Sequence, residues 1–186
     1  MARMGKTLCQ TAIASDLLVS VMAMRSLVEN MKEENKGKMV NSSTQLSLAR
    51  ELAFAQHEGQ YDKLGQPYIF HVESVAKGVA HLGAEYETIA WLHDIVEDTD
   101  TTLDDIELQF GARVRREVDA ITQRPNEAYF ETYIARLKQS KIAKQVKFAD
   151  ASHNLVRIPA FQAIDPDKAK AIEVKYRALC ADLKHK

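Results

Sequence analysis

The chain has 186 residues, of which 46% are hydrophobic and 27% charged, and its formal net charge at pH 7 is −1. This balance is typical of one globular domain with an extension, and the near-neutral charge argues against a nucleic-acid-binding protein. The two cysteines, Cys9 and Cys180, are far apart, which argues against a disulfide framework and indicates a cytoplasmic protein. Only seven glycines and four prolines interrupt long runs of helix-forming residues, so we expect a mostly helical fold.

The most apolar region, residues 8–31, lies near the start of the chain. A helix that packs on the domain or on a second subunit explains it best, and in the second case the protein would be a homodimer. A signal peptide is an alternative, although Asp16 and the lack of a clear small-residue cleavage site argue against it. A leader outside the ancestral domain is a third interpretation. The uninterrupted apolar run is too short to span a membrane.

The sequence predicts two parts, an N-terminal helical extension with a linker at residues 1–40 and the main domain at residues 41–186. In the main domain, apolar residues recur at helical spacing. Gly83 and Gly111 are expected to end two of the helices, and Thr101 or Thr102 to cap one. The predicted helices cover residues 44–58, 68–82, 85–97, 102–110, 112–122, 127–138, 140–158 and 166–184. Without a convincing strand, the expected fold is an all-α orthogonal helical bundle.

Residues 91–100, with the sequence WLHDIVEDTD, hold one imidazole and four carboxylates in an otherwise apolar segment. On one continuous helix, at about 100° per residue, His93, Asp94, Glu97 and Asp98 would fall within an arc of about 140°. Buried carboxylates without a partner are costly, so a cation at that point is the simplest explanation. The segment therefore predicts a metal-dependent hydrolytic site around His93 and Asp94.

Two other segments contribute candidate ligands. His71 lies near the start of a predicted helix, where a lone histidine is more often a core or surface residue than a ligand. Further along the chain, Lys147, Asp150 and Asn154 share one helix face at spacings of three and four. Asp150 lies among apolar neighbours and needs a partner, which is either Lys147 one turn away or a metal.

In chain order, His71, His93, Asp94 and Asp150 form an H…HD…D pattern that resembles the HD superfamily of metal-dependent phosphohydrolases. Two imidazoles and two carboxylates suit Mn²⁺, Fe²⁺ or Zn²⁺ better than Mg²⁺ or Ca²⁺, which prefer oxygen ligands. Four protein ligands in a six-coordinate shell leave positions for a water and a phosphate oxygen. Such an ion lowers the pKa of the water and polarises the phosphorus centre.

Four longer stretches narrow this resemblance to the hydrolase domain of the RelA/SpoT-type alarmone enzymes, and in particular to the small alarmone hydrolases. The similarity runs from about Leu46 to Ile158 and includes no synthetase segment. The four stretches are GQYDKLGQPYIFH, WLHDIVEDTDTTLDDIELQFG, VDAIT and VKFADASHNL.

The resemblance implies a Mn²⁺-dependent enzyme that removes the 3′-pyrophosphate of ppGpp or pppGpp. It implies that Glu97 and Asp98 orient or deprotonate the attacking water, and that His71, His93, Asp94 and Asp150 hold the metal. Lys63, Lys147 and Asn154 are the substrate-binding candidates, and Lys63 belongs to the loop at residues 59–67, which we call the substrate loop. The resemblance also implies a variable segment that contacts the pyrophosphate, with Tyr129, Tyr133, Arg136 and Lys138.

Two residues depart from the family pattern. The substrate loop usually has an arginine before the lysine, where this chain has Asp62, and a proline usually follows the metal-binding histidine, where it has Val72. An arginine can stack on a purine and attract phosphate, whereas Asp62 would repel a polyanion. A phosphatase or nucleotidase for a different nucleotide is therefore the alternative, and a nucleotide-sensing or interaction module is a third. None of these requires a nucleic acid or a membrane.

Overall fold

The computed structural model describes residues 41–184, and this part of the chain is helical, with one isolated β-bridge between Tyr61 and Pro67. The predicted extension at residues 1–40 lies outside the described residues. The helices are α1 (Ser42–Gln56), α2 (Ile69–Val79) with a 3₁₀ turn (Ala80–Leu82), α3 (Ala84–Trp91), α4 (Ile95–Asp98), α5 (Leu103–Ile121), a π-helical turn (Tyr129–Ile134), α6 (Ala135–Leu137), α7 (Lys141–Val156), α8 (Ile158–Ile164) and α9 (Pro166–Lys184). The predicted all-α fold class is confirmed. No helix among these residues is long and apolar enough to cross a membrane.

The short helix α3 lies at the centre of the bundle. It packs against α1, α2 and α7, and α7 in turn packs against α2, α5 and α9. Residues 88–91 of α3 are buried, as are Val72, Val75 and Ala76 on α2 and Val146 on α7. At Gly78 of α2, an added Cβ would lie 3.3 Å from the Cβ of Ala149 on α7. This tight crossing brings the α2 and α7 backbones close together beside the centre of the bundle.

Local signals set most helix boundaries. Thr102 caps α5 through a capping box, in which its hydroxyl accepts from the N–H of Asp105 (3.2 Å) and the Asp105 carboxylate accepts from the N–H of Thr102 (2.9 Å). Gly111, with φ of 83°, lies at the predicted helix end, but the chain resumes its helix directly beyond it, so α5 is kinked there.

The structure differs from the predicted helices at three places. The helix predicted at 85–97 breaks at residues 92–94, because the His93 ring donates from Nδ1 to the carbonyl of Ala90 (2.8 Å), which the N–H of Asp94 would use in a continuous helix. Residues 129–134 form a π-helical turn where an α-helix was expected. Pro159, expected to separate two helices, lies in the first turn of α8, where its missing N–H costs nothing.

A half-buried ion pair holds the end of α5 to the loop before the π-helical turn and to α6. Arg136 donates from Nε (3.0 Å) and Nη2 (2.8 Å) to the two carboxylate oxygens of Glu127, and it also donates to the carbonyls of Asp119 (2.6 Å) and Thr122 (2.8 Å). The Arg136 hydrogen bonds lower the pKa of Glu127 from 4.5 to about 2. A carboxyl group whose pKa is lower in the folded than in the unfolded protein stabilises the fold at any pH above its unfolded pKa. This contribution is lost as the pH falls towards its folded pKa.

We expect Glu127→Gln to reduce the free energy of unfolding by about 1 kcal/mol at pH 7, because the neutral amide loses the charged hydrogen bonds to Arg136. The difference from the wild type should stay constant above pH 4.5 and shrink as the pH falls from 4.5 towards 2. Urea unfolding at a series of pH values measures it. Glu131→Gln, the same change at an exposed residue of the π-helical turn, is the control, and a difference that did not shrink in acid would contradict the assignment.

Candidate metal centre and active site

Three buried side chains from different elements can offer ligand atoms to one point. His71 comes from the first turn of α2, His93 from the turn between α3 and α4, and Asp150 from the middle of α7. Their candidate ligand atoms all lie within 4.8 Å of one another, and each residue is at most 5% exposed. Two imidazoles and a carboxylate at this spacing are a ligand set that a divalent transition ion accepts.

His93 has a nitrogen that fits metal binding. Its Nδ1 donates to the Ala90 carbonyl, so Nε2 is the ring nitrogen that remains for a metal. Nε2 is fully buried, and it has no aligned hydrogen-bond partner among residues 41–184, although the Oδ2 atom of Asp94 lies 2.8 Å away. A buried nitrogen of this kind needs an explanation, and an imidazole fixed through its other nitrogen is the usual form of a metal-ligating histidine.

Asp94, the fourth predicted ligand, lies beside the same point. Its Oδ2 atom is 3.5 Å from Nε2 of His71 and accepts a hydrogen bond from the Tyr68 hydroxyl (2.7 Å). Burial alone would raise the pKa of Asp94, but the imidazoles of His93 and His71 hold it well below its ordinary value. The carboxylate is therefore ionised and oriented by a phenol, as a ligating carboxylate needs to be.

Asp150 is shared between the cluster and two neighbours on its own helix. Its Oδ1 atom lies 3.4 Å from Nε2 of His71 and accepts from the Asn154 amide (2.6 Å), and its Oδ2 atom lies 2.9 Å from Nζ of Lys147. Both partners considered from the sequence, Lys147 and the ligand cluster, are therefore in contact with Asp150. Lys147 and Asn154, predicted as substrate-binding residues, first of all orient this carboxylate.

The two buried carboxylates attract positive charge. Burial alone would lower the pKa of His71, but its contacts with Asp150 and Asp94 raise it to about 9, so a proton occupies the ring. Burial alone would likewise lower the pKa of Lys147, but the charge of Asp150 outweighs it, and the pKa of Lys147 is well above its ordinary value. Without a metal, the proton on His71 supplies part of the positive charge that the two carboxylates attract. A divalent cation bound at the cluster would supply this charge instead, so the set of ligand atoms fits a metal.

A second imidazole supports His71 from behind. Nδ1 of His71 lies 2.8 Å from Nδ1 of His153, and the two rings are 5.0 Å apart. Burial and the charge of His71 lower the pKa of His153 to about 4, so this ring is neutral. His153 was part of a sequence motif, but no role was predicted for it.

Glu97 and Asp98, the predicted water-activating pair, follow the cluster on α4. Glu97 accepts from the N–H of Gln123 (2.7 Å), and the carbonyl of Asp98 accepts from the Gln60 amide (2.8 Å). Burial, together with the charge of Asp94, raises the pKa of both carboxyl groups. A raised pKa brings a carboxylate closer to the range in which it accepts a proton from water effectively.

One cavity of about 510 Å³ connects these groups. The cluster and the acidic pair line it through His71, Asp94, Asp150, Glu97 and Asp98, and the predicted substrate-binding residues line it through Lys63, Lys147 and Asn154. His93 is 1% exposed and does not line the cavity, but its Nε2 atom lies 2.8 Å from Oδ2 of Asp94, which does. The cavity therefore brings metal ligands, acidic groups and cations to one space.

Sequence reasoning missed part of this lining. Arg157 at the end of α7, Phe161 on α8, and Lys175 and Tyr176 on α9 all face the cavity. Nζ of Lys175 lies 3.9 Å from the ring centre of Tyr129. The only sequence signal for these residues was the amphipathic pattern of the last helix. Such a pattern indicates that one face is buried, but not that this face lines a cavity.

Of the four residues expected to contact pyrophosphate in the variable segment, only Tyr129 faces the cavity. Tyr133 is 1% exposed and donates to the carbonyl of Ile121, Arg136 is bound to Glu127, and Lys138 lies 2.8 Å from Asp182. Tyr133 and Arg136 make contacts within the fold, Lys138 forms an exposed ion pair, and none of the three lines the cavity.

Asp62 is not an isolated negative charge at the rim. Its Oδ2 atom is paired with the guanidinium of Arg157, and its Oδ1 atom accepts from the N–H groups of Leu64 (2.7 Å) and Gln66 (3.0 Å). The expected repulsion of a polyanion is therefore countered by an adjacent cation. Arg157 is separated from Asp62 by 95 positions, so no local pattern could have predicted this pairing.

Comparisons with known proteins agree with this geometry. A family model described as an HD domain matches residues 49–173. The chain is 39% identical over 127 residues to the human guanosine-3′,5′-bis(diphosphate) 3′-pyrophosphohydrolase MESH1, covering 63% of this chain and 71% of that protein. It is 32% identical over 177 residues to the Aquifex aeolicus enzyme of the same activity name, covering 88% of this chain.

The chain spans only 25% of the length of the Aquifex protein, and 20% of the bifunctional (p)ppGpp synthase/hydrolase SpoT of Escherichia coli, to which it is 32% identical. Among solved structures, a metazoan ortholog of SpoT that hydrolyses ppGpp superposes with a TM-score of 0.57 at 22% identity, covering 75% of this chain and 93% of that one. This superposition shows that the two proteins share a fold. The chain belongs to the HD-domain family, in the branch that contains the MESH1- and SpoT-type pyrophosphohydrolases.

Proposed function

We propose that the protein is a metal-dependent pyrophosphohydrolase that removes the 3′-pyrophosphate of ppGpp or pppGpp, giving GDP or GTP and pyrophosphate. The observation that carries the proposal is the single cavity in which a buried ligand cluster, two carboxylates of raised pKa and several cations meet. The names of the relatives supply the substrate. The main domain at residues 41–186, the homodimer and the cytoplasmic location stay predictions.

His71, His93, Asp94 and Asp150 would hold the ion, for which Mn²⁺ is the first candidate and Fe²⁺ or Zn²⁺ the others. When bound, the ion activates a water and polarises the phosphorus next to the ribose 3′-oxygen. Glu97 and Asp98 orient the attacking water and accept its proton, and the 3′-oxygen leaves with a proton as the nucleotide hydroxyl. Lys63 and Lys175 attract the phosphates at the cavity wall, while Lys147 and Asn154 hold the carboxylate of Asp150.

An HD phosphatase or nucleotidase with a different nucleotide substrate is the second candidate. It is favoured by the substrate loop, in which Asp62 replaces the arginine of the family pattern and uses Arg157 as its partner. A panel of nucleotides with Mn²⁺ separates the two candidates, because only the first requires ppGpp to be hydrolysed. A nucleotide-sensing module, the third, requires neither a bound transition metal nor hydrolysis.

Replacing the acidic pair by Glu97→Gln/Asp98→Asn should lower kcat for ppGpp by about 100-fold or more, because the water loses its proton acceptors. Binding of Mn²⁺ should be kept, since neither residue belongs to the ligand cluster. Release of pyrophosphate measures the first quantity and calorimetric titration the second.

The control for this variant is Asp104→Asn/Glu107→Gln, which removes the same two charges from α5 beside Arg115. Hydrolysis that survived in Glu97→Gln/Asp98→Asn at the wild-type rate would exclude the acidic pair from the mechanism.

His93→Gln should weaken binding of Mn²⁺ to the metal-free protein by about 100-fold, because the amide cannot replace the buried Nε2 lone pair. Metal titration of chelator-treated protein measures the loss. His81→Gln, the same change at an exposed histidine, should bind Mn²⁺ as the wild type does. Equal affinity of both variants would show that the cluster is not the metal site.

A further inference from the structure

The substrate loop is folded around one carboxylate. Oδ1 of Asp62 accepts from the N–H groups of Leu64 and Gln66. The N–H of Asp62 donates to the carbonyl of Gln66 (2.9 Å), and its own carbonyl accepts from the N–H of Gly65 (3.0 Å). Gly65 takes a φ of 74°, which favours glycine. The loop conformation therefore depends on Asp62 even without its ion pair.

The second oxygen of Asp62 connects this loop to the C-terminal end of α7. Oδ2 contacts Nη2 of Arg157, the residue after the last of α7, and the Arg157 guanidinium lies 5.4 Å from the ring centre of Phe161 on α8. The side chains of Asp62 and Arg157 are 8% and 15% exposed. Removing one member of a largely buried ion pair leaves the other charge without compensation, so the loop and the helix end are coupled.

The pair connects two parts of the active site. Lys63, next to Asp62, lines the cavity, and α7 carries Asp150 and Asn154 one to two turns before Arg157. Because Asp62 compensates the charge of Arg157, Lys63 is the cation that the substrate loop itself contributes to the cavity. The position of Lys63 relative to the ligand cluster is therefore set through the pair.

We propose that the Asp62–Arg157 ion pair is a latch that fixes the substrate loop on the end of α7 and thereby positions Lys63 for the phosphates of the nucleotide. Asp62 and Arg157 are positioning residues of the proposed hydrolase, and they determine substrate affinity without affecting the metal. This inference rests on the proposed function, but the latch itself is a property of the free protein.

For the substitution Asp62→Arg, the latch and the family pattern predict opposite changes in the affinity for ppGpp. Asp62→Arg restores the arginine usual in the family, which from the sequence alone should improve binding of ppGpp. With the latch, it places two guanidinium groups against each other and removes the acceptor of the Leu64 and Gln66 N–H groups. It should therefore raise KM by tenfold or more, on the order expected for a broken buried pair.

A double-mutant cycle isolates the ion pair. Asp62→Asn keeps an oxygen for the loop N–H groups but loses the charge, and Arg157→Gln removes the partner. Each should raise KM for ppGpp about tenfold with kcat within about twofold, and the Leu64 and Gln66 amides should exchange with deuterium about tenfold faster. The double variant should be no worse than either single one, because the same interaction is lost only once.

Arg157→Lys, which keeps the charge, should recover part of the amide protection and of the affinity. Binding of Mn²⁺ should be unchanged in every variant. Asp182→Asn, which breaks the Lys138–Asp182 pair away from the cavity lining, is the control and should leave loop exchange unchanged.

The proposal is overturned if the single variants leave exchange of the loop amides unchanged, if their effects add in the double variant, or if Asp62→Arg lowers KM. Exchange is measured without substrate. A wild-type protein that does not hydrolyse ppGpp with Mn²⁺ would therefore refute the proposed function, while the exchange cycle still decides on the latch.

Discussion

Two carboxylates, Asp94 and Asp150, lie ionised beside the apolar core of this protein, and the rest of the site follows from the need to compensate them. A buried carboxylate is tolerated only with charge and hydrogen bonds around it. Tyr68 and His93 contact Asp94, Lys147 and Asn154 contact Asp150, and His71 lies between the two. These partners come from α2, from the turn after α3 and from α7, and the three elements pack against one another at the site.

The sequence was sufficient for the fold class and for the side chains that meet at the cluster. Helical periodicity is a local property, and each candidate ligand lies in a segment whose polar residues interrupt an apolar pattern. The internal geometry of the acidic segment was not predictable in the same way. The apolar pattern predicts one continuous helix over residues 85–97, but the His93 ring competes for the Ala90 carbonyl and α3 ends at Trp91.

Residues that reach the cavity from distant parts of the chain could not be predicted. Lys175 and Tyr176 lie on a helix whose amphipathic pattern only indicates that one face is buried. Arg157 lies 95 positions from Asp62, and a partner at this distance follows from tertiary packing alone. Asp62 thus looked like a missing substrate contact in the sequence, whereas in the structure it is a loop-forming residue with its own cation.

The close crossing of α2 and α7 at Gly78 and Ala149 bears on the spacing of two candidate ligands. Gly78 lies two turns after His71 on α2, and Ala149 precedes Asp150 on α7, so the distance between these backbones sets the separation of two ligands. A side chain added at Gly78 would meet Ala149 and push the two helices apart, and with them His71 and Asp150. The spacing of two candidate ligands thus depends on two of the smallest residues in the chain, neither of which can bind a metal.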